Sequence, residues 1–269
     1  MSGERIIPEN IKTKGEYYLY LKEVFIYEWC TSVIAGDADC LDLGCGDGYG
    51  TKLLSFSVKT IIGLDIDKEL IRKASLKHEK PNCSFKAYDG AILSFSDDTF
   101  DVVTAFQVIE HIDSDAAFIA EVYRVLKKGG LFVLTTPNRA MRLPPGMAPW
   151  NIYHRREYCA DELRALLENN FANVQILGVS AKEEVMEIER RRINKNIAVA
   201  KLDIFNLRRR LPLLVAALPV RLINYIFSAN RKEYKAVRSA AGQVSARDIY
   251  SIEEIVSGNS LDILGICRK

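Results

Sequence analysis

The sequence predicts an α/β protein built around a mostly parallel sheet that carries helices on both faces. Short apolar segments typical of buried strands alternate with segments that have apolar residues at helical spacing throughout residues 37–180. A glycine-rich turn at residues 44–50 follows the first apolar segment, as it does where a parallel strand turns into a helix. Residues 181–259 lack this alternation and precede one last apolar segment, which predicts a helical insertion ahead of the final strand.

Each element follows from its own pattern along the chain. Residues 16–35 place aromatic and aliphatic side chains at helical spacing, which predicts an N-terminal helix packed against the sheet. The Lys127–Gly130 turn combines cations with glycines, which is typical of the end of a helix. The predicted strands are 39–43, 60–65, 83–88, 100–106, 131–135, 173–179 and 261–267. Of the predicted helices between them, the first ends at residue 54 and the others span 68–78, 116–126 and 161–169.

The composition is ordinary for a globular protein, with 48% hydrophobic and 27% charged residues among 269. The first residues lack the apolar core of a signal peptide, and two prolines and an arginine interrupt the longest apolar stretch, Leu211–Phe227, so no transmembrane segment is predicted. The six cysteines form no CxxC pair and fit reduced, buried thiols. These features predict a cytoplasmic protein.

The net charge of +2 hides a basic segment, because residues 182–238 contain fourteen Lys or Arg and six Asp or Glu. Solvated helix faces around a lid would explain these charges most simply. The mixture of arginines and apolar residues at 202–227 would also suit peripheral contact with a membrane or a lipid-linked acceptor. Nucleic acid is the least favoured partner, because no aromatic residues interleave with the cations.

The glycine turn indicates a ligand site at the end of the first strand. Gly44 and Gly46 can adopt positive φ and let the backbone approach a ligand closely. Asp42 comes just before them, where a dinucleotide site must hold a pyrophosphate, and a carboxylate there repels an anion and attracts a cation. S-adenosylmethionine carries an ammonium and a sulfonium at that end and has no phosphate. The turn also has GxGxG spacing in place of GxGxxG, so an NAD-dependent oxidoreductase is disfavoured.

Polar residues follow the next three strands at corresponding positions. Asp65, with Ile66 after it, ends the second strand at the distance from the glycine turn where a carboxylate can accept both ribose hydroxyls. Asp89 and Gly90 follow the third strand, where the carboxylate could accept from an adenine amino group, and Gln107 follows the fourth. Because ligands bind at the carboxyl ends of parallel strands, these residues predict one adenosyl site.

These motifs resemble those of class I S-adenosylmethionine-dependent methyltransferases, especially the methyltransferases of bacterial and archaeal polysaccharide and small-molecule biosynthesis clusters. The matching segments are 4–9, 41–50, 63–67, 94–103, 108–112, 125–138 and 154–158, together with the Asp89 region. The resemblance implies a Rossmann-like sheet of seven strands with the last antiparallel and inserted between the fifth and sixth. It implies that Asp42 and Gly44 lie near the methionine moiety, Asp65 near the ribose and Asp89 near the adenine. We therefore expect an N-terminal helical segment over the cofactor site (1–36), a cofactor-binding core (37–180), a helical insertion or lid (181–259) and the final strand (260–269).

A hydroxyl acceptor needs a base, and two of the three histidines are candidates. His154 follows the fifth strand and a proline-rich loop where a substrate would enter, so it is our candidate base. His111 follows the fourth strand and would organise the cleft. His78 ends a predicted helix and suits a capping role. For both candidates a purely structural hydrogen-bonded role is an open alternative.

A metal site is not predicted. Some methyltransferases similar to this chain bind a divalent ion through Glu-x-x-Glu-His after the fourth strand, but Gln107 replaces the first carboxylate here. Losing an anionic ligand weakens a site for a hard cation.

We therefore expect an S-adenosylmethionine-dependent methyltransferase that O-methylates a sugar or another small hydroxylated acceptor, including a lipid-linked one. Two alternatives are open: another acceptor class, such as a quinone-like compound or nucleic acid, and a catalytically inactive binding module with the same fold. The retained Asp42, Asp65 and Asp89 argue against an inactive module, because a decayed site has no need of them.

Overall fold

A computed structural model describes residues 11, 13–201, 245–255 and 259–269 of the chain. Three sequence predictions fall outside the described residues. They concern the similarity at 4–9, the mixed basic and apolar stretch 202–227, and most of the insertion 181–259.

The described elements alternate as the sequence predicts. The strands are β1 (Asp39–Leu43), β2 (Thr60–Asp65), β3 (Cys83–Ala87), β4 (Phe100–Phe106), β5 (Leu126–Pro137), β6 (Asn173–Ala181), β7 (Tyr250–Glu254) and β8 (Asp262–Arg268). The helices are α1 (Lys14–Val33), α2 (Tyr49–Leu54), α3 (Lys68–His78), α4 (Asp115–Val125), α5 (Arg139–Arg142), α6 (Ala160–Glu168) and α7 (Glu183–Lys201). Short 3-10 turns lie at Ile109–His111 and Ala246–Asp248.

All eight described strands form one sheet in the order β3-β2-β1-β4-β5-β8-β6-β7. Strands β1 to β5 pair in parallel, whereas β8 is antiparallel to both of its neighbours, β5 and β6. The predicted Rossmann-like α/β fold, with its last strand between the fifth and sixth, is confirmed. The sheet has one strand more than the seven predicted, because β7 pairs antiparallel with β6 at the edge.

The bounds of β3, β6 and β8 differ from the predicted ones by one or two residues, and the larger differences concern β5 and β7. Strand β5 begins at Leu126, directly after α4, and the Lys127–Gly130 segment predicted as a turn lies within it. Leu126 pairs with Phe100, and Leu131 pairs with Val102. The residues between Leu126 and Leu131 therefore bulge out of the ladder, so this part of the strand is irregular. Strand β7 lies in the region predicted as helical insertion, which otherwise begins with α7.

The sheet separates two hydrophobic clusters. On one face Phe25 and Tyr27 of α1 pack with Ile61 of β2, and on the other face Ile119 of α4 packs with Leu163 of α6. Helix α1 begins at a capping box: the Thr13 side chain accepts the backbone N–H of Glu16, and the Glu16 side chain accepts the backbone N–H of Thr13. The Tyr27 hydroxyl also lies 3.3 Å from Oδ2 of Asp42, which places α1 beside the carboxyl end of β1.

All six cysteines are free thiols, of which five are buried and Cys159 is half-buried. Among the described residues, none of the helices combines the length and the apolar character needed to cross a bilayer.

Candidate active site

The glycine turn forms the floor of the site where β1 leads into α2. Gly44, Gly46 and Gly48 all have positive φ, at 71°, 59° and 82°. A Cβ on Gly44 would lie 2.4 Å from Cγ2 of Val108, whereas a Cβ on Gly46 would meet nothing within 4 Å. Gly44 is therefore needed for packing, whereas Gly46 faces open space.

Asp42 is completely buried beneath this turn, and protein hydroxyls satisfy its carboxylate. Thr51 of α2 donates to Oδ2 at 2.6 Å, and Thr104 of β4 donates to Oδ1 at 2.7 Å. The hydroxyl of Tyr27, on α1, lies 3.3 Å from Oδ2. The carboxylate thus ties four elements together and has no surface for direct contact with a ligand. Asp42 would therefore affect the methionine moiety, near which it is predicted to lie, through its charge and not by contact.

Burial raises the pKa of Asp42 to about 6, an effect that the hydrogen bonds from Thr51, Thr104 and Tyr27 oppose and that nearby Asp65 strengthens. The group is therefore mostly ionised at neutral pH. A fixed negative charge beneath the glycine turn suits a cationic ligand and disfavours a phosphate.

Asp65 ends β2 and reaches back to the glycine turn. Its Oδ2 accepts the Gly46 N–H at 3.0 Å, and its Oδ1 accepts the Asp67 N–H at 2.9 Å, with 1% of the residue exposed. These two bonds orient the carboxylate at the end of β2, where the sequence predicts that it accepts the ribose hydroxyls.

Ile66 and the segment after β3 form an open apolar corner beside Asp65. Ile66 is 40% exposed and is one of five large apolar side chains that are exposed among the described residues. A Cβ on Gly90 would lie 3.2 Å from Cγ2 of Ile66, so the two residues are neighbours. Asp89 is exposed and accepts the Ala91 N–H at 2.9 Å. This corner brings together the apolar side chain and the carboxylate that the sequence predicts for an adenine contact.

Gln107 follows β4 in a left-handed conformation, with φ of 55°. Such a backbone costs on the order of 1–3 kcal/mol in a residue other than glycine and persists where surrounding contacts hold it. The side-chain amide donates to Asp262 at 3.0 Å and to Thr135 at 3.3 Å. Asp262 also forms a buried ion pair with Lys22 of α1. Gln107 thereby connects the cofactor edge of the sheet to the N-terminal helix.

The two candidate catalytic histidines lie together beyond β4 and β5. The rings of His111 and His154 are 5.0 Å apart and nearly perpendicular, and Nδ1 of His111 lies 3.1 Å from the carbonyl oxygen of Tyr153. Glu110 lies beside them, with Oε2 accepting from Thr136 of β5 at 3.0 Å and Oε1 lacking a hydrogen-bond partner. Burial raises the pKa of Glu110 to about 8, although the charge of protonated His154 opposes this shift.

His154 is 4% exposed and is oriented by a second carboxylate. Its Nδ1 lies 2.7 Å from Oε1 of Glu157, and Oε2 of Glu157 lies 3.2 Å from Nε of Arg142. Burial alone would raise the pKa of Glu157, but the hydrogen bond with His154 and the charge of Arg142 lower it below its ordinary value. An anionic Glu157 favours the tautomer with a proton on Nδ1, so Nε2 of His154 is the atom able to accept a proton.

His78 lies apart from this cluster, at the end of α3. Burial and nearby Lys52 lower its pKa, so it is a poorer capping cation than the sequence suggests.

A cation could use the donors of the histidine cluster, because Glu110, His111 and His154 each offer a ligand atom within 4.8 Å of the others. The absence of a metal site therefore stays a prediction. A protonated Glu110 is a poor ligand for a hard cation, and Glu157 already holds one nitrogen of His154.

Sequence reasoning missed several residues of this site. The hydroxyls around Asp42 and the Arg142 contact depend on tertiary packing and leave no local signal. Glu157 had a signal, because it stands three residues after His154 in the HRREY segment. The predicted cofactor residues Asp42, Gly44, Gly46, Asp65, Ile66, Asp89, Gly90 and Gln107 all lie at or beside the carboxyl ends of β1 to β4.

The geometry fits the cationic adenosyl cofactor. A buried anion lies beneath the turn, open space lies over Gly46, and a buried carboxylate at the end of β2 is followed by an exposed apolar side chain.

The sequence is similar to those of known proteins. Residues 41–134 match the family described as a methyltransferase domain. A Mycolicibacterium smegmatis protein named "Probable S-adenosylmethionine-dependent methyltransferase" is 36% identical over 192 residues, which cover 71% of this chain and 72% of that protein. A similarly named Mycobacterium tuberculosis protein is 34% identical, and the match covers 66% of this chain and 64% of that protein, slightly under two thirds of its length. Another M. tuberculosis protein, named phthiotriol/phenolphthiotriol dimycocerosates methyltransferase, is 30% identical over 55% of this chain and 52% of its own length.

Solved structures share the fold. An S-adenosylmethionine-dependent methyltransferase of Thermotoga maritima has a TM-score of 0.56 and 14% identity, with 94% of this chain and 93% of that chain covered. The [4+2]-cyclase SpnF has a TM-score of 0.54 and 19% identity, with 91% and 80% covered. At these identities the likeness shows the fold alone, and the second structure illustrates that one fold supports different reactions.

Proposed function

The chain belongs to the S-adenosylmethionine-dependent methyltransferases, and from this premise we propose that it methylates a hydroxyl oxygen of a sugar or another small hydroxylated acceptor. The observation that carries the proposal is the buried His154–Glu157 pair beside the carboxyl ends of β4 and β5. Transfer to a hydroxyl, unlike transfer to a thiolate or a neutral amine, requires a group that removes a poorly acidic proton.

The cofactor S-adenosylmethionine supplies an electrophilic methyl group when bound. In our proposal the charge of Asp42 attracts its cationic end, and the open side of Gly46 admits its approach to the backbone. Asp65 accepts from the ribose hydroxyls. Ile66 covers one face of the adenine.

His154 acts as the general base in this proposal. Glu157 holds a proton on Nδ1 and stabilises the imidazolium that forms when Nε2 accepts the hydroxyl proton. Arg142 keeps Glu157 anionic, because its charge favours the ionised carboxylate. Such an arrangement of carboxylate and histidine raises the basicity of the acceptor nitrogen and fixes the ring in one orientation.

His111 and Glu110 position His154. The perpendicular ring of His111 restricts its rotation, and the Tyr153 carbonyl oxygen holds His111 in turn. With its pKa near 8, Glu110 is mostly protonated at neutral pH, so it adds little competing negative charge beside His154. Much of the rate of a methyl transfer comes from alignment of the reacting atoms and from exclusion of water.

Membership of the family does not specify the acceptor, so we infer the acceptor from a relative and from the histidine pair. Support for a hydroxyl-bearing, lipid-linked acceptor comes from the M. tuberculosis protein named for phthiotriol and phenolphthiotriol dimycocerosates, although the match covers only 55% of this chain. The histidine pair supports a hydroxyl more directly, because it supplies the base that such an acceptor needs.

A methyl-transfer screen tests this proposal. Sugars, polyols and lipid-linked glycans would be incubated with methyl-labelled cofactor, beside deoxy, amino and thiol analogues of each substrate. We expect labelled methyl ether on hydroxyl acceptors and none on the deoxy analogue of an accepted position. Transfer to amines or thiols alone, with wild-type activity retained in His154→Ala, would reject the O-methylation.

A further inference from the structure

The carboxylate of Asp42 is sealed beneath the glycine turn. Hydroxyls of Thr51, Thr104 and Tyr27 surround it, and none of its surface is exposed. It can attract a cation from a distance but cannot contact one. The methionine moiety of the cofactor carries an α-ammonium, which loses free energy when it leaves water without a hydrogen-bonded partner. A carboxylate with an open side near the turn would suit this ammonium better than Asp42 does.

Glu23 of α1 lies on the face of the helix that covers the glycine turn. Residues three and four positions apart share a helix face, so Glu23 lies between Tyr20 and Tyr27. The rings of both tyrosines contact the ring of Tyr49, the first residue of α2, at centroid distances of 5.4 and 6.0 Å. The hydroxyl of Tyr27 reaches Asp42 beneath the turn. Glu23 is therefore on the side of α1 that faces the turn.

Lys22 connects Glu23 to the end of β4. Its Nζ lies 3.8 Å from Oε1 of Glu23 and makes a closer ion pair with Asp262. Asp262 in turn accepts from the side-chain amide of Gln107, which follows β4, at 3.0 Å. Because β1 and β4 are adjacent strands, Glu23 lies near the point where their carboxyl ends meet. The sequence predicts the methionine moiety at this point.

The charge of Glu23 is only partly balanced. Its side chain is 14% exposed, and it forms no hydrogen bond with another described residue. The single cation Lys22 is shared between the carboxylates of Glu23 and Asp262, so one negative charge is left over. Burial raises the pKa of Glu23 to about 7; the charge of Lys22 opposes this shift and that of Asp262 adds to it. A bound ammonium would balance the remaining charge and favour the ionised carboxylate.

We propose that Glu23 binds the α-ammonium of S-adenosylmethionine. An oxygen of its carboxylate accepts a hydrogen bond from the ammonium, while Asp42 acts on the cofactor through its charge alone. Helix α1 thereby supplies a cofactor-binding residue in addition to those at the strand ends. This inference rests on the cofactor of the proposed function and not on its acceptor.

Calorimetry with two ligands tests this contact without turnover. S-adenosylhomocysteine carries the α-ammonium, and its deamino analogue has hydrogen in that place. Both are titrated into wild type and Glu23→Gln at pH 8, where most of Glu23 is ionised. We expect wild type to bind S-adenosylhomocysteine about tenfold or more tightly than the analogue, as for a hydrogen bond between charged groups.

Glu23→Gln should lose about tenfold in affinity for S-adenosylhomocysteine. It should bind the deamino analogue at least as tightly as wild type does, because Glu23 repels the carboxylate that this analogue keeps. If Glu23→Gln does not fold, Glu23→Asp takes its place. That variant withdraws the carboxylate by one methylene and should weaken the binding of S-adenosylhomocysteine alone.

The matched control is Glu28→Gln, on the same helix. Glu28 is partly exposed and pairs with Arg247. Its replacement should leave the affinities for both ligands unchanged. Circular dichroism checks that each variant is folded.

Equal affinity of wild type for the two ligands would overturn the contact. Unchanged affinity of Glu23→Gln for S-adenosylhomocysteine would do the same, and so would an equal loss for both ligands, which indicates a structural role. These outcomes leave the proposed acceptor untouched, because neither ligand transfers a methyl group. A protein that shows the Glu23-dependent preference but methylates no hydroxyl would contradict the proposed O-methylation and leave this contact in place.

Discussion

Nδ1 of His154 lies 2.7 Å from Oε1 of Glu157, and both side chains are buried, at 4% and 1% exposure of the two residues. A buried carboxylate at this distance fixes the tautomer of the imidazole and leaves Nε2 as its only proton acceptor. It also stabilises the imidazolium by charge, more strongly than it would in water. The proposed roles of both residues follow from this one contact.

We expect His154→Gln to reduce turnover at least about 100-fold, because a positioned general base contributes about 10²–10⁴ to the rate. Affinity for S-adenosylhomocysteine, measured by calorimetry, should be unchanged. The control is His78→Gln, which removes a histidine at the end of α3. A fully active His154→Gln enzyme would remove His154 from the mechanism.

Glu157→Gln should lower turnover and move the acidic limb of the pH–rate profile to lower pH. Without the anionic partner the imidazolium of His154 is less stable, so its pKa falls. Steady-state rates between pH 5 and pH 9 measure the shift. A merely structural Glu157 would lower the rate equally at every pH.

The glycine turn offers a paired test of the cofactor site. Gly46→Ala places its Cβ in open space at φ of 59°, so we expect a stability loss of about 1 kcal/mol and a substantially weaker affinity for S-adenosylhomocysteine. Gly50→Ala places its Cβ 2.0 Å from the Tyr27 ring, and its main effect should be on the free energy of unfolding. Calorimetry and urea denaturation separate the two effects. Equal cofactor affinity in Gly46→Ala and wild type would exclude this face of the turn from binding.

Asp65→Ala should weaken S-adenosylhomocysteine binding about tenfold or more, because it removes a charged hydrogen-bond acceptor at the end of β2. Asp37→Ala, an exposed carboxylate before β1, is the control. Calorimetry at pH 7 measures both, and an unchanged dissociation constant for Asp65→Ala would remove it from the ribose site.

Glu110 should make stability fall as the pH rises. Its pKa of about 8 in the folded protein exceeds its ordinary value of 4.5, so between these values the folded state holds a proton that the unfolded state has lost. The free energy of unfolding therefore decreases through this window by up to about 1.4 kcal/mol per pH unit. Glu110→Gln resembles the protonated group and should remove this part of the pH dependence. Urea denaturation at pH 5 to 8 compares the two proteins, and parallel curves would contradict the shift.

The fold was more predictable than the site, and the reason lies in the range of the interactions. The bounds of β1, β2 and β4 follow from local apolar runs that stop at an aspartate or a polar turn, and the structure confirms them. Strand β7 escaped prediction because Tyr250–Glu254 is short and rich in polar residues, and it becomes a strand only by pairing with β6.

The same distinction between local and long-range interactions applies to the residues of the site. Residues at strand ends, such as Asp65 and Gln107, were predictable because their place in the chain fixes their place in the sheet. The partners of His154 were not predicted, and the Arg142 contact in particular joins α5 to the segment before α6. The left-handed backbone of Gln107 was equally invisible, since no glycine marks it.

The central place of β8 has a consequence for biosynthesis. Strands β6 and β7 precede β8 in the chain but reach the rest of the sheet only through it, since β8 pairs with β5 on one side and β6 on the other. During translation β1 to β5 can assemble in turn, while β6 and β7 can pair with each other but cannot join that sheet until residues 262–268 leave the ribosome. A nascent chain that stops before that point exposes the unpaired edge of β5, and an exposed strand edge promotes aggregation. Pairing of β8 with β5 therefore removes this aggregation-prone edge.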